Sequence, residues 1–239
     1  MPWSVRSARS GRAPRRRGAP GRVPGDMKMA RAGVPYIIAA LLASAGLLFC
    51  WHRWGGRGWA GAAIVAAVLA LSFLWFFRDP ERRVRRDPGI LLAPADGIVH
   101  RFHEGRDTVT LEIFLRIWDV HIQRAPAAGK VVSVRYTKGG YLPANMAGAG
   151  TRNTRCLMMF STKRGRMGVT QVAGLVARKV ESWMKPGQEI LQGERIGIIH
   201  MGSQCRLELP KGAVWLVKKG QKIYGGLTPV ARWGRRRVS

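Results

Sequence analysis

The chain has 239 residues, which is enough for one modest domain together with a membrane segment. Lysine and arginine number 41 against 13 acidic residues, giving a formal net charge of +28. A basic excess of this size indicates a polyanionic partner, either nucleic acid or an anionic lipid surface. The basic residues are spread along the chain and no nucleic-acid recognition module is recognisable, so we expect a membrane partner and no nucleic acid. Three cysteines without a CxxC pair are too few for a disulfide framework or a cysteine zinc site, and they favour a reducing compartment.

The N-terminal third predicts a basic tail followed by a membrane anchor. Residues 1–26 are dominated by Arg, Pro, Gly, Ala and Ser, with seven arginines, so we predict a disordered tail over residues 1–31. Apolar runs of 18 and 19 residues follow, at 34–51 and 59–77, and each approaches the roughly 20 residues that a helix needs to cross a bilayer. We therefore predict a two-helix anchor over residues 32–77, as a transmembrane or a re-entrant hairpin. A pair of buried core helices is the alternative.

The distribution of basic residues predicts the orientation of this anchor. Arginine and lysine are dense before the first apolar run and after the second, whereas the linker between the runs holds only Arg53 and Arg57. By the positive-inside rule, both termini lie in the cytoplasm. We therefore expect the following domain to face the cytoplasm from the cell membrane.

From residue 87 onward, short β-rich segments alternate with glycine and proline. No long amphipathic helix separates these segments, although residues 175–184 could form a short one, so we predict an antiparallel, mainly β domain over residues 78–230. A basic tail over residues 231–239 would end the chain. The predicted strands lie at 108–117, 130–136, 155–160, 168–172, 195–200, 205–209 and 213–217.

Residues 196–206 read as two strands separated by Gly202 and Ser203. Together with Asp96 and His121 from two distant segments, Ser203 supplies the groups of an activated serine. His121 is the candidate base, and Asp96 would orient and charge-stabilise it. Asp119 is the rival partner of His121, because residues two apart share one face of a straight strand.

The remaining histidines and the rest of the sequence offer no second site. His100, His103 and His200 have no recognisable ligand spacing, so we interpret them as structural or surface residues. No phosphate-cradling or metal-binding motif is present, and we predict no metal site.

Five segments, in this order and at this spacing, resemble the phosphatidylserine decarboxylases, most closely their short, archaeal-type branch. The resemblance runs from about residue 34 to about residue 225. Residues 185–194 are also similar to the turn-and-strand pattern of lipoyl- and biotinyl-type barrel-sandwich domains, which the family shares. The implied fold is a barrel-sandwich-hybrid-like antiparallel β domain behind an N-terminal α-helical hairpin. The segments are FFRDPER at 76–82, PADG at 94–97, DVH at 119–121, VAGLVAR at 172–178, and GERIGII at 193–199 leading to Gly202 and Ser203.

The resemblance implies a proenzyme that cleaves itself between Gly202 and Ser203, giving a β chain of residues 1–202 and an α chain of residues 203–239. Ser203 would become a covalent pyruvoyl group, so that no separate cofactor is needed. This group would form a Schiff base with the amine of phosphatidylserine and delocalise the electrons left by the departing carbon dioxide, giving phosphatidylethanolamine in phospholipid biosynthesis. His121 would deliver the proton. The implied partners are the phospholipid substrate, the membrane and the proenzyme's own α and β chains; the oligomeric state is left open, a homodimer included.

The chain departs from the family pattern in three places. Residues 150–155 read GTRNTR where the family carries an acidic Asn-Glu-Arg-Asn-like run, residues 204–206 read QCR in place of Arg-Val-Asp, and Gln123 replaces an asparagine. Because the maturation residues are kept, these departures bear on head-group recognition. Two alternatives stay open: the same chemistry on another serine phospholipid, or a catalytically silent, membrane-tethered β domain that binds lipid or a partner protein.

Overall fold

The computed structural model describes residues 28–143, 146, 148–175, 179–200 and 203–234. Four predictions fall partly or wholly outside these residues. They concern the N-terminal tail up to residue 27, the end of the VAGLVAR segment at 176–178, Gly202 at the predicted cleavage site, and the C-terminal tail from residue 235 onward.

The predicted helical hairpin is confirmed. Helix α1 spans Val34–Trp54 and helix α2 spans Arg57–Phe76, with a 3₁₀ helix, Arg31–Gly33, in front of them. Gly55 and Gly56 link the two helices with φ angles of 67° and 92°, a left-handed region that favours glycine. The only other helix in the described part of the chain is the four-residue α3, Ala149–Arg152.

Small residues let the two helices pack closely. Ala63, Ala66 and Ala70 of α2 are buried, and the Ser44 hydroxyl of α1 donates a hydrogen bond to the Ala63 carbonyl oxygen at 3.1 Å. Both helices are long and apolar enough to cross a membrane, and many large apolar side chains on their outer faces are exposed, which suggests membrane association. These exposed side chains are Ile38, Leu41, Leu42, Leu48, Phe49, Ile64, Val65, Val68, Leu69, Leu71 and Leu74.

The rest of the described chain is mainly β. Each segment predicted as a strand contains one, with limits shifted by a few residues. The strands are β1 Lys28–Met29, β2 Arg78–Asp79, β3 Ile90–Leu92, β4 Gly97–Glu104, β5 Thr108–Leu115, β6 Ile122–Arg124, β7 Gly129–Thr137, β8 Arg155–Thr162, β9 Gly165–Val172, β10 Val180–Ser182, β11 Glu189–Ile190, β12 Arg195–Ile199, β13 Ser203–Pro210, β14 Val214–Trp215, β15 Lys222–Ile223 and β16 Pro229–Arg232.

Antiparallel pairing joins these strands into one large sheet and several small ones. The eight-stranded sheet has the order β11-β7-β8-β9-β13-β5-β4-β15, so that β13 lies near its centre between β9 and β5. Two three-stranded sheets have the orders β10-β12-β6 and β14-β16-β3, and β1 pairs with β2. This arrangement confirms the predicted antiparallel, mainly β fold class.

Three local predictions need correction. The short helix predicted over residues 175–184 is wrong at 180–182, where β10 pairs with β12, because tertiary pairing overrides a weak local helix signal. Residues 28–29, which we placed in the N-terminal tail, form β1 against β2. Strand β16 runs to Arg232 and Trp233 is buried, so ordered structure extends past residue 231, where we began the C-terminal tail.

Two apolar clusters hold the fold together. The larger fills the β domain, and alternate residues of β13, namely Cys205, Leu207 and Leu209, point into it. The smaller joins the end of the hairpin to the β domain by packing Phe76 and Phe77 against Val120, Ile122, Ile198 and Ala30. The hairpin therefore ends directly on the part of the β domain that carries the predicted site.

Candidate active site

One end of β5 brings the three predicted site residues into the same region. Strand β5 lies between β4 and β13, with Ile98 opposite Phe114 on one side and Ser203 opposite Leu115 on the other. Asp96 immediately precedes β4, and Ser203 begins β13. The chain leaving β5 turns through residues 116–119 and reaches His121 two residues later. Neighbouring strands thus gather residues that lie as far as 107 positions apart in the sequence.

Ser203 is fully buried, and its hydroxyl has no hydrogen-bond partner among the described residues. A buried polar group without a partner costs about 1–3 kcal/mol, so this hydroxyl is costly to the folded state. The prediction of two strands around Gly202 and Ser203 is confirmed, but these strands do not form a hairpin. Strand β12 belongs to a three-stranded sheet and β13 to the large sheet, so the chain changes sheets just before Ser203.

His121 is buried as a neutral base. Its Nδ1 lies 2.8 Å from the Asp119 carbonyl oxygen, and because a carbonyl only accepts, Nδ1–H is the donor and the lone pair is on Nε2. Nε2 is buried without a hydrogen-bond partner in the described structure. Burial lowers the pKa of His121 to about 4, so the ring is neutral at pH 7. The Phe76 ring, with its centroid 4.2 Å from that of the imidazole, packs against it.

Asp96 does not bind His121, and this part of the prediction is wrong. The Asp96 carboxylate accepts hydrogen bonds from the two terminal nitrogens of Arg82, at 2.6 and 2.8 Å, and from the Gly225 backbone N–H at 2.7 Å. A guanidinium donates two parallel hydrogen bonds to a carboxylate, whereas an imidazole can donate only one to it. The sequence pattern gave no sign that Arg82 would be this partner. The catalytic role of Asp96 itself stays a prediction.

Asp119, the rival partner, contacts His121 through its backbone carbonyl and not through its carboxylate. The carboxylate is bound by Arg116, through Nε at 3.0 Å, Nη2 at 3.0 Å and the backbone N–H at 2.9 Å. Burial would raise the pKa of Asp119, but the hydrogen bonds and charge of Arg116 outweigh burial and lower it. Arg116 thus fixes the turn whose carbonyl oxygen determines the tautomer of His121.

The segment after α2 is held to the domain by buried ion pairs. Asp79 forms an ion pair with Arg195, whose Nε lies 2.6 Å from a carboxylate oxygen, and accepts a hydrogen bond from Arg124 Nη2 at 3.4 Å, which ties β2 to β12 and β6. Burial and the neighbouring arginines lower the pKa of Arg124 to about 10. A cavity of about 530 Å³ opens beside these pairs, lined by residues that include Arg82, Arg124 and Arg195. Asp79 therefore helps to position the segment that follows the hairpin on the domain.

Replacing Arg82 by glutamine is expected to destabilise the protein strongly. The Arg82 and Asp96 side chains are each only 7% exposed, so the substitution leaves a buried carboxylate without its charged partner. Losing one member of such a pair costs about 3–5 kcal/mol. Arg83→Gln is the matched control, because Arg83 is an exposed neighbour. Unfolding in urea, in detergent, measures both variants; equal free energies of unfolding would show that the pair contributes little.

His200 is a residue that the sequence analysis did not assign to the site. Its side chain is buried, and its Nε2 has no hydrogen-bond partner in the described part of the chain. The Phe77 and Tyr36 rings lie at centroid distances of 5.6 and 6.0 Å from it, and burial and the charge of Lys179 lower its pKa. The preceding residue, Ile199, donates its N–H to the His121 carbonyl oxygen at 3.1 Å. His200 lies at the end of an apolar strand, three residues before Ser203, and this position was the sequence signal that could have assigned it to the site.

Two of the departures from the family pattern meet in space. Arg206 donates to the Gly150 carbonyl oxygen at 3.2 Å, and a side chain at Gly150 would approach both Arg206 and Gln204 to 3.0 Å. Because side chains alternate along β13, Gln204 and Arg206 lie on the face opposite Ser203. Arg206 also pairs with Glu112 at 3.4 Å. The departures at residues 150–155 and 204–206 therefore alter a contact on the face of β13 opposite Ser203.

The described residues thus place a buried serine at the start of a strand and a buried, neutral histidine at the same end of β5, which are the residue types of an enzyme with an activated serine. A sequence model of the family described as phosphatidylserine decarboxylase matches residues 69–231. The chain is similar to the phosphatidylserine decarboxylase proenzymes of Streptomyces griseus (37% identical, over 87% of this chain and 95% of the relative) and Symbiobacterium thermophilum (38%, over 85% and 95%). That of Erythrobacter litoralis is 36% identical, over 83% of this chain and 86% of the relative. The chain belongs to the phosphatidylserine decarboxylase family, and it is a decarboxylase.

Proposed function

We propose that this chain is a proenzyme that cleaves the peptide bond before Ser203 and then decarboxylates phosphatidylserine to phosphatidylethanolamine at the cytoplasmic face of the membrane. The observation that carries the proposal is a pair of buried atoms at the end of β5 that have no hydrogen-bond partner among the described residues: the Ser203 hydroxyl and the lone-pair nitrogen of His121. The relatives' name, proenzyme, supports a processed chain.

The first step is an acyl shift from nitrogen to oxygen. The Ser203 Oγ attacks the carbonyl carbon of residue 202 while His121 Nε2 takes the hydroxyl proton. The C–N bond then breaks, the Ser203 nitrogen takes up a proton, and an ester joins residue 202 to Ser203. Burial keeps bulk water from the ester, so that the chain's own chemistry precedes simple hydrolysis.

The second step eliminates the ester and generates the prosthetic group. Loss of the Ser203 α-proton expels the carboxylate of residue 202 and leaves a dehydroalanine at residue 203. Uptake of water and release of ammonia then leave a pyruvoyl group there. This group supplies an electron sink for decarboxylation when it is present.

The fold suits this maturation because the new terminus stays in place. Ser203 is paired with Leu115, and Gln204 is paired with both Phe114 and Val172, so β13 is held on both sides from its second residue onward. The α chain of residues 203–239 therefore stays bound to the β chain after the cut. We propose that His121, which Phe76 shields and the Asp119 carbonyl oxygen orients, also moves a proton at its Nε2 during decarboxylation.

The proposed orientation rests on the position of the hairpin and on charge. His121 and His200 pack against Phe76 and Phe77 at the end of α2, the end of the hairpin that carries the dense arginines. The opposite end, near Gly55 and Gly56, has only Arg53 and Arg57 close to it. The positive-inside rule supports a cytoplasmic location for the arginine-rich end and the site beside it.

Intact-mass measurement of the purified protein in detergent tests the proposal. We expect two species, residues 1–202 and the 37 residues 203–239, with residue 203 converted to a pyruvoyl group. A single intact chain would contradict the proposal and favour a silent lipid-binding domain. Incubating the cleaved protein with phosphatidylserine and with a second serine phospholipid, and following carbon dioxide release, then distinguishes the two substrates.

A further inference from the structure

The turn between β5 and His121 exposes two adjacent large apolar residues. Ile117 is 53% exposed and Trp118 is 56% exposed, although Asp119 and His121 just after them are buried. Single exposed apolar side chains are ordinary, but an adjacent pair next to a buried catalytic group indicates a surface with a partner.

Arg78 places this turn level with the end of α2. One terminal nitrogen of its guanidinium donates to the Trp118 carbonyl oxygen at 2.6 Å, and the other donates to the Trp75 carbonyl oxygen at 2.8 Å. The same guanidinium stacks over the Trp75 ring at 4.2 Å, and Trp75 is 58% exposed. The exposed pair at 117–118 and the exposed tryptophan at the helix end are therefore bound to one side chain.

The length of α2 indicates what covers this surface. Its 20 residues extend about 30 Å, the thickness of the hydrocarbon core, so its two ends fall at the two membrane–water interfaces. Tryptophan and arginine are suited to that boundary, because the ring is apolar while the N–H and the charge reach the head groups. Arg116, whose guanidinium lies 5.3 Å from the centre of the Trp118 ring, adds positive charge beside the pair.

We propose that the turn of residues 116–119 is a second membrane contact, which inserts Ile117 and Trp118 into the head-group boundary of a bilayer containing anionic lipid. The inference rests on the membrane association in the proposed function. It gives the turn two roles, because Arg116 also holds the Asp119 carboxylate and the Asp119 carbonyl oxygen orients His121. The contact fixes the domain with its site against the bilayer, where a phospholipid head group arrives.

Spin labels at three single cysteines test this contact directly. The background is the full chain with Cys50→Ala, in which the other two cysteines are fully buried. Ile117→Cys carries the test label, Leu71→Cys on the exposed face of α2 is the lipid reference, and Val132→Cys, 48% exposed on β7, is the water reference. Each is reconstituted in vesicles of equal phosphatidylcholine and phosphatidylglycerol. Power saturation then compares collisions with oxygen, which is enriched in lipid, and with a water-soluble nickel chelate.

We expect the label at 117 to resemble that at 71, with a ratio of oxygen to nickel collisions several-fold above that at 132. The inference is overturned if the label at position 117 has the collision ratio of the label at position 132 while the label at position 71 reports lipid. It is also overturned if the label at position 117 is shielded from both reagents, which indicates a protein partner. If the label at position 71 also reports water, both the membrane association of the hairpin and the proposed second contact fail. The collision ratios need neither cleavage nor catalysis. A failure of the proposed membrane contact can therefore be distinguished from a failure of the proposed enzymatic activity.

Discussion

Ser203→Ala is expected to leave one uncut chain with no decarboxylase activity. The methyl side chain has no oxygen to attack the carbonyl of residue 202, so no ester forms whose elimination could leave a dehydroalanine, and both maturation and catalysis are lost together. Mass spectrometry should find only the full-length chain. The rate of carbon dioxide release from phosphatidylserine should fall to the rate measured with protein-free vesicles.

This variant should fold normally, which makes the result informative. The Ser203 hydroxyl has no hydrogen-bond partner among the described residues, so removing it breaks no bond and relieves a buried polar group. The melting temperature of Ser203→Ala should therefore equal or slightly exceed that of an uncut chain that keeps Ser203. Ser161→Ala, at an exposed position of β8, is the matched control and should be cut like the parent chain. Cleavage of Ser203→Ala would place the nucleophile elsewhere.

The features that sequence reasoning predicted well have local causes. An apolar run of helix-spanning length and a short β-branched segment bounded by glycine each carry their own signal, so the hairpin and the strand segments could be found without knowledge of the fold. Ser203 and His121 were proposed as site residues in the same way, because their neighbouring residues form recognisable segments, and their catalytic roles stay predictions. The structure adds the register of β5 that brings them to one end of the sheet.

The predictions that failed concern partners chosen by tertiary structure. Asp96 was matched with His121 because the two residues complete an activated serine, but the segment after α2 brings Arg82 to the carboxylate first. His200 was passed over because its environment is made by Tyr36 and Phe77 from the ends of the hairpin helices, far away in sequence. The bearing of the departures at 150–155 and 204–206 on the head group stays a prediction, and strand alternation puts Gln204 and Arg206 on the face of β13 opposite Ser203.

His121→Gln is expected to slow self-cleavage by about a hundredfold to ten-thousandfold, the usual contribution of a general base. Glutamine keeps a polar side chain of similar length but has no nitrogen lone pair to take the Ser203 proton. The measurement is the rate at which newly translated precursor disappears in a cell-free system supplied with vesicles. His52→Gln, at an exposed position near the end of α1, is the control and should mature at the parent rate. Equal rates for the two variants would remove His121 from the role of base.

The pH dependence of maturation gives the same assignment a second test. The base acts only when neutral, and burial holds the pKa of His121 at about 4, below the ordinary value of a histidine. The cleavage rate of the parent chain should therefore be level from pH 7 down to about 5 and then fall about tenfold for each pH unit below 4. Circular dichroism at each pH separates loss of the base from loss of the fold. A rate that already halves near pH 6.5 would indicate a solvent-exposed histidine and would contradict the buried, Phe76-covered imidazole as the group that activates Ser203.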